Sequence, residues 1–189
     1  MNPGLVLPAE RFLQTLEIVA KAGKHLAYSW NSLFRQRLDI DWVNGLEQNP
    51  ARAEQLEAFV SRFGRMQDTM ADKLLPRWLL ALAEVPGSQI ETLNRAERLG
   101  VLTSTERWLE MRNLRNRLVH EYMTSATKFV VDLMLAKEYS LMLMETFNRL
   151  RQDAMTRMAY DAGTLPAALT LPEQLEKSGY EDRSRPAKP

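Results

Sequence analysis

The chain has 189 residues, a formal net charge of +1 and no cysteine. That length suits one domain with a sizeable core, and near-neutrality excludes a broad surface for coating nucleic acid, so any RNA contact is expected to be local. The lack of cysteine excludes a disulfide framework and thiolate chemistry.

Hydrophobic residues make up 45% and charged residues 26%, the balance of a soluble globule. No apolar run reaches the roughly 18 residues of a membrane helix. The N-terminus lacks a basic region followed by an apolar run, so no signal peptide is expected. The expected location is the cytoplasm.

Taken in order, Met1 to Leu7 reads as an irregular lead. Pro8 opens a first helix to about Arg37, with Phe12, Leu16, Val19, Leu26 and Leu33 at helical spacing. His25 lies among Lys21, Lys24 and Tyr28 and reads as a surface or interface residue. Residues 39–49 are a polar connection. Asn49-Pro50, an N-cap followed by proline at N1, opens a second helix to about Leu74. Its stripe is Leu56, Phe59, Val60, Phe63, Met66, Met70 and Leu74.

Gln67 falls inside that stripe, and a core-facing amide needs a partner. Two readings stand: a core glutamine satisfied within the bundle, or an arm that helps hold Arg115 or another motif group. Asp68 and Lys73 lie off the stripe and read as solvated.

Pro76 interrupts the pattern while Trp78, Leu79, Leu80 and Leu82 continue it, which predicts a kinked continuation or a short separate helix. Val85-Pro86-Gly87 ends it. Ser88 to Glu91 matches a capping box and opens a short helix to about Leu99, stopped by Gly100 in the left-handed conformation.

Thr103-Ser104-Thr105-Glu106 is a second capping-box match, with Thr103 as the expected N-cap, and predicts a helix over about 104–124. With Trp108 at zero and about 100° per residue, Trp108, Met111, Leu114, Leu118, Val119, Tyr122 and Met123 form one apolar stripe. Asn113, Asn116 and His120 follow one edge of it. Arg115 falls inside it, and a buried unpaired charge is costly, so this arginine must pair, reach outward along its stem or line an interface. On a straight helix Arg115 and His120 point roughly 140° apart. They meet at one phosphate only if the helix bends or if two copies bring their motifs together, as a two-fold dimer does.

A break at 124–127 precedes a long helix from about Lys128 to Ala159. Its apolar surface covers more than one side, so it packs in a bundle and part of it can face a second chain. The ten methionines read as adaptable packing. Leu165-Pro166 to Leu171-Pro172 is an extended, moderately apolar segment expected to dock on the bundle, and Gly179 to Pro189 reads as a mobile polar tail. Two histidines far apart in sequence give no support for a metal site.

The string Arg115-Asn116-Arg117-Leu118-Val119-His120-Glu121-Tyr122 resembles the R-x4-H-x-Y motif of the HEPN superfamily, in particular its HepT-like toxins. The asparagine after the arginine and the apolar pair before the histidine match as well. The likeness is tight over about 8 residues and looser from about Leu93 to Leu150.

The resemblance implies an all-α homodimer and a metal-independent endoribonuclease whose composite cleft lies at the dimer interface. It implies a partner, a small nucleotidyltransferase of the MNT antitoxin type, which in such pairs can transfer AMP to the motif tyrosine, here Tyr122. The residue types suit the chemistry. Histidine titrates near neutrality and can take the proton of a 2′-hydroxyl. Arginine stays charged and forks onto phosphate oxygens. The product the resemblance implies is a 2′,3′-cyclic phosphate.

The resulting expectations are these. The fold is an all-α, up-and-down bundle of about five helices, HEPN-like and homodimeric, over residues 1–160, followed by a partly disordered extension over 161–189. The chain is the endoribonuclease toxin of a type VII HEPN/MNT toxin–antitoxin system. Arg115 and His120 are catalytic, Asn116 supports them, and Tyr122 contacts substrate or accepts AMP. No cofactor or metal is expected, and the partners are a second copy, RNA and the nucleotidyltransferase. The alternatives are a non-catalytic nucleotide-binding partner of that transferase, and a purely structural helical dimer.

Overall fold

The computed structural model of the chain describes residues 7–120 and 125–172, His120 by its backbone alone. Most of the lead before Pro8, Tyr122 and Met123 of the motif helix, and the tail after Gly179 lie outside the described residues. Within them the protein is all-helical, with no strand.

The helices are α1 (Pro8–Phe34), α2 (Ile40–Asn44), α3 (Pro50–Thr69), α4 (Leu75–Ala81), α5 (Gln89–Arg98), α6 (Thr105–His120) and α7 (Ala126–Arg157). A π-helical turn, Met70–Leu74, joins α3 to α4, so the two form one continuous rod. The Leu75 N–H reaches back five residues to the Met70 carbonyl. That shift in register lets Pro76, which has no N–H to give, enter without ending the helix. Of the two outcomes expected at Pro76, continuation is the one found.

Three expectations need correction. α1 ends at Phe34 rather than near Arg37. The connection over 39–49 contains a helix of its own: the Asp39 side chain accepts the Trp42 N–H, and the turn it starts buries Trp42 and Val43. The cap of α6 is Ser104, not Thr103. Ser104 Oγ accepts the Arg107 N–H at 3.2 Å, while Thr103 Oγ1 accepts from Arg149 on α7. The Thr105 N–H goes to Glu97 at the end of α5, at 2.8 Å. The expected cap is instead drawn to Arg149 of α7, and the residue after it starts the helix.

The core lies where α1, α3–α4, α6 and α7 converge. Trp30, Trp78, Trp108, Phe12, Phe59, Phe63 and Phe147 are fully buried there. Trp30 donates its ring N–H to the Lys137 carbonyl of α7 at 3.1 Å, and Trp78 donates to Asp153 Oδ2 at 2.7 Å. An indole N–H in a dry core needs such an acceptor. Asp153 also takes Arg157 Nε at 2.6 Å, so the buried carboxylate is paired.

Beyond α7 the chain turns through a 3-10 turn, Ala162–Thr164, and the segment that follows lies extended on the bundle with Leu165 and Leu169 buried.

Candidate functional site

The apolar stripe of α6 faces the core as its spacing predicts. Trp108, Met111, Leu114 and Leu118 are each at most 3% exposed. Val119 was expected among them and is 49% exposed. The reason is the angular order: the C-terminal half of α6 buries the arc held by Leu114 and Leu118, and Arg115 and Val119 sit at the edge of that arc. There α6 stands apart from α3 across a groove of about 640 Å³, lined by both residues.

Arg115 resolves its position in the stripe by two means. Its stem lies on the backbone of α3 at Gly64, where a Cβ would come within 2.9 Å of its Nε and 3.2 Å of its Cγ. Only glycine gives that approach. Its guanidinium then meets Asp68 on α3, Nη2 to Oδ2 at 3.2 Å. Nη1 donates to Asn116 Oδ1 at 3.3 Å. Both partners of the Arg115–Asp68 pair remain more than a third exposed, at 38% and 48%, so the pair is wet. It positions the arginine more than it stabilises the fold.

The groove combines this cation with an apolar wall. Leu56 and Val60 of α3, Leu118 of α6 and Phe129 of α7 supply apolar lining, and Arg65, Asp68 and Arg115 supply polar lining. A guanidinium at the rim of a half-apolar groove can hold a phosphate oxygen bidentately while an adjacent flat or apolar group occupies the wall.

Of the four predicted site residues, two are brought together, Arg115 and Asn116. The His120 side chain and Tyr122 lie outside the described residues; the backbone carries His120 as the last residue of α6. Arg117, between them in the motif, faces away and forks onto Asp132 of α7, with Nε to Oδ2 at 3.0 Å and Nη2 to Oδ1 at 2.8 Å. That bidentate pair fastens α6 to α7. His25 is exposed on α1, and its carbonyl accepts from Arg62. Among the described residues no cluster of His, Cys, Asp or Glu could hold a metal ion.

Asp68, read from the sequence as solvated, is the acidic partner of Arg115, and Gly64 one turn before it is the seat for the arginine stem. Nothing in the local pattern of α3 marks either. The one usable signal was the arginine inside the α6 stripe, which requires a partner on a facing helix without saying which. Gln67 is not the satisfied core glutamine of the first reading, and it does not hold Arg115. It is 2% exposed, and among the described residues both atoms of its amide lack a hydrogen-bond partner, Arg115 included.

The chain matches no family model, no curated protein and no solved structure.

Proposed function

We propose that this protein is a metal-independent endoribonuclease of the HEPN type, a HepT-like toxin that works as a homodimer. The observation that carries the reading is Arg115: a motif arginine held at the rim of a groove by Asp68 and by its motif neighbour Asn116. In this reaction His120 takes the proton from a ribose 2′-hydroxyl, and the 2′-oxygen attacks the adjacent phosphorus. The 5′-oxygen leaves and gains a proton from a second acid, for which the partner copy's histidine is available. The Arg115 fork stabilises the charge that grows on the non-bridging oxygens. The products are a 2′,3′-cyclic phosphate and a 5′-hydroxyl. An MNT-type nucleotidyltransferase acts as antitoxin, with Tyr122 as the AMP acceptor, and the cytoplasm is the place of action.

One observation favours a second reading. Asp68 already partly neutralises Arg115, and much of the groove wall is apolar. A groove of that kind suits the binding of one nucleotide without cleavage, in a non-catalytic partner of the transferase.

Cleavage of a mixed-sequence RNA by the wild type, His120→Ala and Arg115→Ala separates the two readings. The nuclease reading expects fragments with cyclic-phosphate ends from the wild type and a loss of about 100-fold or more in each variant. Cleavage that survives in both variants removes the assignment. Absence of cleavage together with nucleotide binding that Arg115→Ala weakens establishes the second reading.

A further inference from the structure

α1 is a helix of 27 residues with a glycine, Gly23, near its middle and buried. Glycine is a poor residue for a helix interior, so a buried one there calls for a packing reason. The reason is Leu169: a Cβ on Gly23 would run into Leu169 Cδ1 and stand 3.0 Å from Cδ2. The missing side chain is a notch, and the leucine fills it.

Across the notch stands Asn148 of α7. Its Nδ2 donates to the Leu169 carbonyl at 2.9 Å, and its Oδ1 accepts the Leu169 N–H at 2.8 Å. One side-chain amide thus satisfies both main-chain groups of a single residue. One turn on, Arg151 donates from Nε to the Pro166 carbonyl at 2.7 Å and from Nη2 to the Ala162 carbonyl at 3.3 Å. Leu165 is the second buried anchor, at 7% exposed, while Ala167, Ala168 and Thr170 face solvent.

These features are those of a peptide site. Main-chain hydrogen bonds supply affinity without regard to side-chain identity, and spaced pockets supply specificity. Here the main-chain readers are Asn148 and Arg151, and the pockets take leucines four residues apart.

We propose that the seam between α1 and α7 is a recognition site for an extended polypeptide segment of the pattern Leu-Pro-x-x-Leu. Residues 165–171 fill it in cis, and a segment of the same chemistry from a partner protein takes it when they leave. The segment already seated shows what fits. It hangs from the bundle by a short connector, in which Ala159 adopts a left-handed conformation at φ +57°. Being tethered, it competes with any partner at high effective concentration.

The test uses the full chain carrying Leu165→Asp and Leu169→Asp, which removes both anchors of the cis segment, and a fluorescein-labelled peptide with the sequence of residues 162–172. Fluorescence anisotropy is expected to show saturable binding to this variant. Binding is expected to be at least tenfold weaker to the wild type, and at least tenfold weaker when Asn148→Ala is added to the variant. No binding to a variant that keeps its helical circular dichroism and cooperative melt overturns the proposal, as does binding indifferent to Asn148→Ala. Light scattering that shows the variant pairing with wild-type chain puts a second copy in the place of the partner protein, and overturns that part. If the variant does not fold, hydrogen exchange of the wild type decides. Faster exchange of the Leu169 amide with excess unlabelled peptide upholds the proposal, and unchanged exchange overturns it.

Discussion

Arg115 of α6 and Asp68 of α3 face each other across the groove at 3.2 Å, and Gly64 lets the arginine stem lie against the α3 backbone. The pair joins residues 47 apart in sequence. Its partners are both partly exposed, so it contributes at most about 1 kcal/mol to folding. Asp68→Asn is therefore expected to leave urea stability within about 1 kcal/mol of wild type. On the nuclease reading it lowers single-turnover RNA cleavage by roughly tenfold, because the fork loses its orientation. Gly64→Val, which puts a branched side chain under the arginine stem, should lower cleavage further. Wild-type cleavage in both variants would show that the arrangement around Arg115 is irrelevant to the chemistry.

Asp153 is expected to be the most sensitive polar position in the core. It is 7% exposed and accepts from both Trp78 Nε1 and Arg157 Nε. Asp153→Ala leaves the indole N–H buried without an acceptor, at a cost of about 2–3 kcal/mol. For a chain of this size that lowers Tm by roughly 5–10 °C. Differential scanning calorimetry measures it, and a shift of only a degree or two would mean that the indole finds another acceptor.

Gln67 offers the opposite case. A fully buried amide with neither end bonded carries a desolvation penalty that a hydrocarbon of similar size does not. Gln67→Met is expected to raise urea stability by about 1–2 kcal/mol, since the volume is kept and the polar cost removed. A loss of stability would show that the amide is engaged in solution.

Glu97 links the end of α5 to the start of α6. The hydrogen bond from the backbone N–H of Thr105 holds the Glu97 carboxyl below its ordinary value of 4.5. Because the folded value is the lower one, the contribution to stability is present in full above about pH 4.5 and fades as pH falls through the lowered folded value. Glu97→Gln should therefore flatten the decline of Tm over that acid window and leave its pH dependence near neutrality unchanged. A Tm profile in acid that matches the wild type would show that this carboxylate does not couple to folding.

The features legible in the sequence are those whose cause lies within a few residues. Asn49-Pro50 opens α3, with the Asn49 side chain accepting the Arg52 N–H. Ser88 and Glu91 form their reciprocal box at the start of α5. Gly100 takes the left-handed conformation at φ +80°. The expected docking of an extended segment after Gly163 is met at Leu165 and Leu169, which are buried.

What local pattern left undetermined needed a distant partner. The expected Thr103 cap of α6 gave way to Ser104 because Thr103 meets Arg149 and the Thr105 N–H meets Glu97, and continuation of the helix through Pro76 depended on a register shift begun at Met70. The arginine inside the α6 stripe announced from the sequence that a facing helix must answer its charge. Tertiary structure alone selected Asp68 and Gly64 to do so, and Gly23 and Asn148 to receive Leu169. A charge or a notch is complemented by whatever lies a few ångströms away in space, and helical periodicity fixes which face a residue takes, not which helix that face meets.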